Sequence, residues 1–379
     1  MIISHELYIL FVIATAAMLL ACGLMLLFID IPRSHLIDNY RKSRYVLAVT
    51  YLFIVVAIMA EYLFAAGSSE IDIPLLQTII LIIAVLQASL FSLALLTLLE
   101  VRYPGWRYIF GKLVPAQLMM ISVAAVYIFC PQGYFRVAYY VFFALYAVLL
   151  VYYTYLFLTV YRRFRLRMDN YFSGDQEEKI RWVAVSFFTA LAIGLMALLS
   201  AVLTSLLTVI IFTLVFNAFY LWFAFRFINY RHRFQVIEHA LNEETETPQT
   251  EETSDGDHIE TDDSDTVIFA KLEKRINQWV DNKRFTKKSI TIALLSKELL
   301  TNRNFLSTYI NTCKGNTFRE WINQLRIAEA KKLMRQDPNI TVKEIAQQTG
   351  FTNKSHFIRQ FTNLTGASPK KWKQESELT

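Results

Sequence analysis

Residues 350–372 carry the side chains best suited to chemistry with a nucleic acid. Asn353 is a favourable helix N-cap, and three apolar residues follow at helical spacing: Phe357, Phe361 and Leu364. This spacing predicts a helix with one buried stripe. The residues off that stripe are polar or basic, namely Lys354, Ser355, His356 and Arg359. A short helix of this kind fits a DNA major groove, where Arg and Lys pair with guanine and hydroxyl groups are less selective.

A similar pattern precedes this stretch. Thr291 begins a predicted helix, a polar break follows at Thr301 and Asn302, and a second helix has Phe305, Leu306, Tyr309 and Ile310 as its buried candidates. The outward residues of that second helix are Arg303, Asn304, Ser307 and Thr308. A longer helix from about Thr317 to Met334 connects this pair to another, which Thr341 opens and Gly350 interrupts. The pattern predicts two helix-turn-helix units joined by one connecting helix.

Residues 290–373 resemble the DNA-binding domain of the AraC/XylS family of transcription regulators. The motif residues that carry the resemblance are Ile345-Ala346, Gly350-Phe351, Phe357, Phe361, Thr365-Gly366, Ser368-Pro369 and Trp372. The chain departs from the family pattern at Leu300, where glycine is usual, and at Ile310 and Trp372, where Phe and Tyr are commoner. The geometry of the first turn is therefore open at this stage.

The resemblance implies that the second helix of each unit enters one of two successive major grooves of promoter DNA. Carried over by position, the base-facing residues are Arg303, Asn304, Ser307 and Thr308 in the first helix and Lys354, Ser355, His356 and Arg359 in the second. Lys343, Lys370 and Lys371 are expected to contact phosphate, which positions a protein without reading sequence. RNA polymerase is a further partner expected of such a regulator.

The residues before this module have the composition of a membrane domain. Hydrophobic residues make up 55% of the 379 and charged residues 18%, which exceeds the apolar content of one soluble core. Seven apolar runs are long enough to span a bilayer of roughly 30 Å. They lie at about 7–28, 45–64, 75–99, 113–129, 137–160, 182–201 and 205–227. We therefore expect an all-α chain, a seven-helix transmembrane bundle followed by the helical C-terminal domain.

Charge divides the chain into three parts. The formal net charge is +6 over residues 1–237, −12 over 238–265 and +12 over 266–379. The predicted domains are a seven-span transmembrane domain at 1–228, a juxtamembrane helix at 229–241, an acidic disordered linker at 242–265 and the DNA-binding domain at 266–379. The excess of Lys and Arg in alternate connections predicts an outside N-terminus and a cytoplasmic C-terminal domain in a bacterial inner membrane.

The predicted spans contain few polar residues. Glu61 and Gln77 fall near the outer ends of their helices, and one interpretation is an outward-facing pocket that senses an unknown ligand. The alternative is hydrogen bonding between helices, which also applies to Gln87 and Asn217. The sequence contains no catalytic or metal-binding motif, so we expect no enzyme activity, no cofactor and no metal.

The helix after the seventh span repeats apolar residues every three or four positions, at Phe227, Tyr230, Phe234, Ile237 and Leu241. This spacing predicts a short a/d seam through which two copies form a homodimer; a helix lying on the membrane surface is the alternative. Two other hypotheses concern the whole chain. The membrane domain is an enzyme or transporter regulated by the DNA-binding module, or the spans are only an anchor and proteolysis in the linker releases a soluble regulator.

Overall fold

A computed structural model of the chain describes residues 2–30, 37–67, 73–100, 105–129, 132–174, 177–203, 206–242, 263–337 and 339–376. The regular structure of these residues is helical, which confirms the predicted all-α fold, and the one isolated antiparallel bridge among them joins Phe172 and Thr291. Most of the acidic linker, residues 243–262, lies outside the described residues.

The chain divides into two compact units. The first contains residues 1–164 and 180–240, and the second contains residues 165–179 together with 241–379. The sequence predicts that residues 165–179 belong to the membrane domain, as the connection between the fifth and sixth apolar runs. Their packing places them with the C-terminal unit instead.

The first unit is built from long apolar helices. They are α1 Ile2–Phe28, α2 Asp38–Gly67, α3 Ile73–Leu99, α4 Trp106–Gly111, α5 Val114–Phe129, α6 Gln132–Tyr171, α7 Glu177–Leu203 and α8 Leu206–Asn242, with α6 passing into the second unit at Arg165. All seven predicted apolar runs form helices. Six helices in the described part of the chain are long and apolar enough to cross a membrane, whereas α5, with 16 residues, is shorter.

Aromatic side chains and main-chain acceptors join α2 to α8. The ring of Tyr40 stacks on Phe227 at 4.9 Å between centroids, and its hydroxyl donates to the Phe227 carbonyl at 3.0 Å. Further along α2, the Tyr51 hydroxyl donates to the Tyr220 carbonyl at 2.6 Å. Each hydroxyl is therefore satisfied inside an apolar helix pair, as a buried polar group requires.

These contacts correct the predicted dimer seam on α8. Phe227, Tyr230 and Phe234 are each at most 3% exposed. Tyr230 packs on Trp182 of α7 at 4.9 Å, and Phe234 packs on Tyr40 at 5.9 Å. Because neighbouring helices of the same chain already cover these side chains, they cannot form an interface with a second copy. The last two seam positions, Ile237 and Leu241, have side chains outside the described residues.

Polar side chains in the first unit form hydrogen bonds between helices. The amide of Gln87 on α3 donates to the Tyr220 hydroxyl at 2.6 Å, and that of Asn217 on α8 donates to Thr15 on α1 at 2.8 Å. For these two residues the interhelical interpretation is confirmed. The side chains of Glu61 and Gln77, the predicted sensing pair, lie outside the described residues, so that hypothesis is untested.

The second unit adds seven helices to residues 165–179. They are α9 Asp263–Asp281, α10 Ile292–Glu298, α11 Arg303–Cys313, α12 Phe318–Gln336, α13 Val342–Gln348, α14 Lys354–Thr365 and α15 Pro369–Ser376. The predicted caps account for where they begin. Thr291, Asn302 and Asn353 each accept from a main-chain N–H of the following first turn, and Thr317 and Thr341 form capping boxes with Glu320 and Glu344.

Arg326 on α12 fixes the chain segment between α9 and α10. Its side chain is 1% exposed, and it donates to the carbonyls of Phe285 at 2.9 Å and Lys287 at 2.7 Å. The guanidinium also lies 5.6 Å from the ring centroid of Phe351, in the turn between α13 and α14. Burial lowers the pKa of Arg326 to about 10, so the group stays charged at neutral pH. One buried cation thus joins the connecting helix to the segment that precedes the first helix-turn-helix unit and to the turn of the second unit.

Candidate nucleic-acid interface

The turns of the two helix-turn-helix units have the same main-chain geometry. In the first, Leu300 N–H donates to the Lys297 carbonyl and Thr301 N–H to that of Ser296. In the second, Gly350 N–H donates to Gln347 and Phe351 N–H to Ala346. Corresponding residues are 50 positions apart in the chain. The turn that the sequence left uncertain is therefore formed in spite of its leucine.

Leu300 adopts the left-handed conformation that glycine usually supplies. Its φ is +50°, against +82° for Gly350, and its side chain is 81% exposed. Arg275 on α9 supports this turn by donating to the carbonyls of Leu299 at 2.9 Å and Leu300 at 3.3 Å. The second turn has no room for a side chain, because a Cβ on Gly350 would lie 2.2 Å from the Thr286 carbonyl oxygen. Glycine is required in the second turn and only preferred in the first.

We call the second helix of each unit its reading helix. The first reading helix, α11, has one buried and one accessible face. Leu306, Tyr309 and Ile310 are buried, and Phe305 stacks on Phe269 of α9 at 4.9 Å. Of the four predicted base-facing residues, Asn304 and Thr308 are exposed, while Arg303 and Ser307 are half-buried. Asn311, one turn beyond Ser307, donates to the Ser307 hydroxyl at 3.5 Å and extends the same face. The sequence-based prediction missed Asn311, although spacing of four residues could have identified it.

The second reading helix, α14, presents three of its four predicted base-facing residues. Lys354, Ser355 and Arg359 are exposed. His356 is not: it is 3% exposed, and its ring lies 5.4 Å from that of Phe351. Burial lowers the pKa of His356 to about 4, and the charges of Arg319 and Arg326 act in the same direction. A neutral, buried imidazole cannot contact a base edge, so the prediction for His356 was wrong.

Comparison of the two units explains this error. Their reading helices begin at the caps Asn302 and Asn353, so corresponding residues of these helices are 51 positions apart. On that alignment His356 corresponds to the inward-facing Phe305, and Arg359 corresponds to Thr308. The buried stripe of α14 therefore includes His356, Phe357 and Phe361. Leu364, which the spacing had placed on that stripe, is 44% exposed.

The apolar core beneath α14 comes from three elements of the second half of the domain. Phe357 and Phe361 pack with Ile345 and Ala346 of α13 and with the end of α12. Trp372 of α15 meets Phe361 edge-on at 5.9 Å. Trp372 therefore fills an aromatic position against this core.

The three predicted phosphate-contacting lysines are all accessible. Lys343 lies on α13, and Lys370 and Lys371 lie in the first turn of α15, and each side chain is exposed. Exposed lysine side chains on one domain surface are suited to contacts with phosphate, which position DNA without reading sequence. The phosphate-binding role of these lysines is still a prediction.

An ionic cluster holds the end of α10 against α9. The indole of Trp279 donates to the Glu298 carboxylate at 2.8 Å, and Lys287 and Arg284 lie within 3.3 Å of the same group. Partial burial raises the pKa of Glu298, but these three hydrogen bonds outweigh it, so the pKa lies below its ordinary value. The cluster therefore fixes the end of α10, the first helix of the unit, against α9 and the segment that follows it.

Comparison with known proteins agrees with this geometry. Residues 295–375 match a family model described as "Helix-turn-helix domain". The "Msm operon regulatory protein" of Streptococcus mutans is 25% identical over 120 residues, 31% of this chain and 40% of its own length. The "HTH-type transcriptional activator RhaR" of Cronobacter sakazakii is 36% identical over 61 residues, 16% of this chain and 21% of its own.

A third relative matches a longer stretch of this chain. The "Uncharacterized HTH-type transcriptional regulator YijO" of Escherichia coli is 25% identical over 126 residues, 33% of this chain and 42% of its own length. The chain thus covers less than half the length of these relatives, and no solved structure matches it. The C-terminal part of this chain is an AraC-type helix-turn-helix domain, as the motif residues predicted.

Proposed function

We propose that this protein is a membrane-anchored, sequence-specific DNA-binding regulator of transcription, which couples a signal in the membrane or envelope to promoter binding. The observation that carries the proposal is the pair of equivalent turns, each followed by a helix with accessible polar residues. On the first helix Asn304 and Thr308 are exposed, and Arg303 and Ser307 are half-buried; on the second helix Lys354, Ser355 and Arg359 are exposed. Two such helices supply two separate sets of base contacts.

The first unit supports anchoring because large apolar side chains cover its outer surface. Phe129 is 82% exposed, Val151 is 69% exposed and Phe225 is 68% exposed, and they belong to three different helices. Large apolar side chains exposed to this degree are unfavourable in water, whereas lipid covers them favourably. The distribution of Lys and Arg in the connections supports an outside N-terminus and a C-terminal domain in the cytoplasm of a bacterial cell.

DNA reading is tested with the full chain in lipid nanodiscs, using duplexes selected by that protein from a random pool. Arg359→Ala should remove the preference for one base pair, at about 1–3 kcal/mol of discrimination. Arg335→Ala on α12 removes the same charge outside both reading helices, and it should leave the sequence preference intact. If the two variants behave alike, the assignment of α14 as a reading helix is wrong.

Membrane insertion and orientation are tested separately from DNA binding. The chain should stay with the membrane fraction after alkaline extraction. A fluorescent protein fused after residue 242 should fluoresce, and alkaline phosphatase inserted between residues 68 and 72 should be active outside the cytoplasm. A soluble chain, or reversed reporter activities, would contradict the anchored arrangement. A cytoplasmic fragment that begins near residue 245 would instead support release by proteolysis.

A further inference from the structure

Residues 165–174 pack into the same compact unit as the helix-turn-helix domain. They comprise the last turns of α6 and the short segment after it, and they precede α7 in the chain. Met168 is 2% exposed, Tyr171 is 3% exposed and Ser173 is fully buried. We call residues 165–174 the docking segment. Burial of this degree is unusual for a polar connection between two helices, which ordinarily lies in solvent.

The docking segment pairs through its main chain with the residues just before α10. Phe172 and Thr291 form an antiparallel bridge, and the Ser173 N–H donates to the Ile290 carbonyl at 3.0 Å. The Ser173 hydroxyl donates to the same carbonyl at 2.6 Å. Thr291 is the N-cap of α10, so the segment is fixed directly to the beginning of the first helix-turn-helix unit.

An ion pair extends the contact to the connecting helix. Arg319 on α12 donates to the Asp169 carboxylate at 2.6 Å, and the side chains are 8% and 20% exposed. Arg165 lies 3.8 Å from the second oxygen of the same carboxylate. Because both partners are largely removed from water, this pair is less screened than a surface ion pair and favours one arrangement of the segment.

The segment also covers a base-facing residue of the first reading helix. The guanidinium carbon of Arg303 lies 4.9 Å from the ring centroid of Tyr171. Arg303 is the first residue of α11, and the N-terminal residues of a recognition helix are those that reach base edges. Arg303 is half-buried in this arrangement, and the tyrosine ring covers one face of its guanidinium, which limits the approach of that group to a base edge. By contrast, Lys354, Ser355 and Arg359 of the second reading helix are exposed.

We propose that the docking segment is an autoinhibitory element, which holds Arg303 and competes with DNA for the first helix-turn-helix unit. The inference rests on the proposed function, because it assumes that Arg303 reads DNA. While the segment is bound, the first unit reads DNA without the contribution of Arg303; when it leaves, Arg303 contributes as well. Since the segment includes the end of α6 and is followed in the chain by α7, movement of either helix would alter this competition.

A reversible cross-link tests the proposal in the full chain in lipid nanodiscs. Bridged antiparallel residues have Cα atoms about 4.5–5.5 Å apart, which suits a disulfide. Phe172→Cys with Thr291→Cys, in a Cys313→Ser background, should therefore cross-link on mild oxidation. The probe is the duplex pool selected by the reduced protein. We expect DNA affinity to fall roughly tenfold on oxidation, the order of one lost arginine–guanine contact, and to return with dithiothreitol.

Two single-residue variants report on the same contact without a cross-link. Tyr171→Ala should strengthen DNA binding, whereas Tyr171→Phe keeps the ring and should leave binding unchanged.

The cross-link has its own controls: DNA binding by a variant with either cysteine alone should be insensitive to oxidation. Failure of the double variant to cross-link would show that the segment does not dock. Full cross-linking with unchanged DNA affinity would refute the competition but leave DNA reading intact. If the reduced protein selected no DNA, the proposed function itself would fail.

Discussion

Gly350→Ala should destabilise the second helix-turn-helix unit far more than the addition of one methyl group suggests. The added Cβ would lie 2.2 Å from the Thr286 carbonyl oxygen and 2.7 Å from its carbon. Thr286 cannot move away easily, because Arg326 holds the carbonyls of the residues on either side of it. The backbone at Gly350 also has a φ of +82°, which disfavours any side chain.

The destabilisation has two contributions, the left-handed backbone and the steric overlap, and substitution of a second glycine separates them. A left-handed conformation costs a residue with a side chain about 1–2 kcal/mol, and an overlap that the surroundings must absorb costs about 1–3 kcal/mol more. Gly366 has a φ of +77°, but no atom lies within 4 Å of the position that a Cβ would occupy, so Gly366→Ala incurs the first cost alone. We expect a total of about 2–5 kcal/mol for Gly350→Ala and about 1–2 kcal/mol for Gly366→Ala.

Hydrogen exchange of the full chain in lipid nanodiscs measures both variants under native conditions. The amides of α13 and α14 report the local free energy of opening, and each loss of about 1.4 kcal/mol makes exchange about tenfold faster. Leu300→Gly serves as the reverse control. It relieves a left-handed leucine that is 81% exposed, so stability should change by less than about 1 kcal/mol. Equal destabilisation by the two alanine variants would refute the steric argument.

Three further predictions concern charge. Because the unfolded chain binds a proton that buried His356 does not, the stability this residue contributes should be complete above pH 6.5 and fall toward pH 4. His356→Gln should therefore make the free energy of urea unfolding less dependent on pH between 4 and 6.5. Lys370→Ala should weaken binding to all duplexes alike and reduce the slope of log affinity against log salt by about 1. Arg326→Met, which leaves two buried carbonyls without a donor, should destabilise the domain by about 2–4 kcal/mol in the same unfolding assay.

Local signals in the sequence predicted much of the C-terminal domain. Helix starts at Thr291, Thr317 and Thr341 were predicted because a helix cap is recognisable from residues that are close in the chain. His356 was misassigned because its burial depends on Phe351 and on residues of α12, whose positions its own helical spacing does not reveal. Alignment of the two repeats by their caps would have placed His356 opposite Phe305 and on the inward face.

The docking segment could not have been predicted from the sequence. Its main-chain pairing with Ile290 and its ion pair with Arg319 join residues more than 100 positions apart, and neither leaves a periodic pattern. The dimer prediction was wrong at Phe227, Tyr230 and Phe234 of α8 for a related reason. Heptad spacing predicts that one face is apolar, but it does not specify which helix covers that face, and here Tyr40 and Trp182 do so.

The most direct test of DNA reading by two helices is the base preference of the full chain when each reading helix is altered in turn. Duplexes selected in nanodiscs by the unaltered protein should contain two conserved blocks about 10–10.5 base pairs apart, one for each major groove. Asn304→Ala should relax the preference within one block only, and Arg359→Ala within the other only. A single block, or two variants that relax the same positions, would contradict a DNA reader with two helix-turn-helix units.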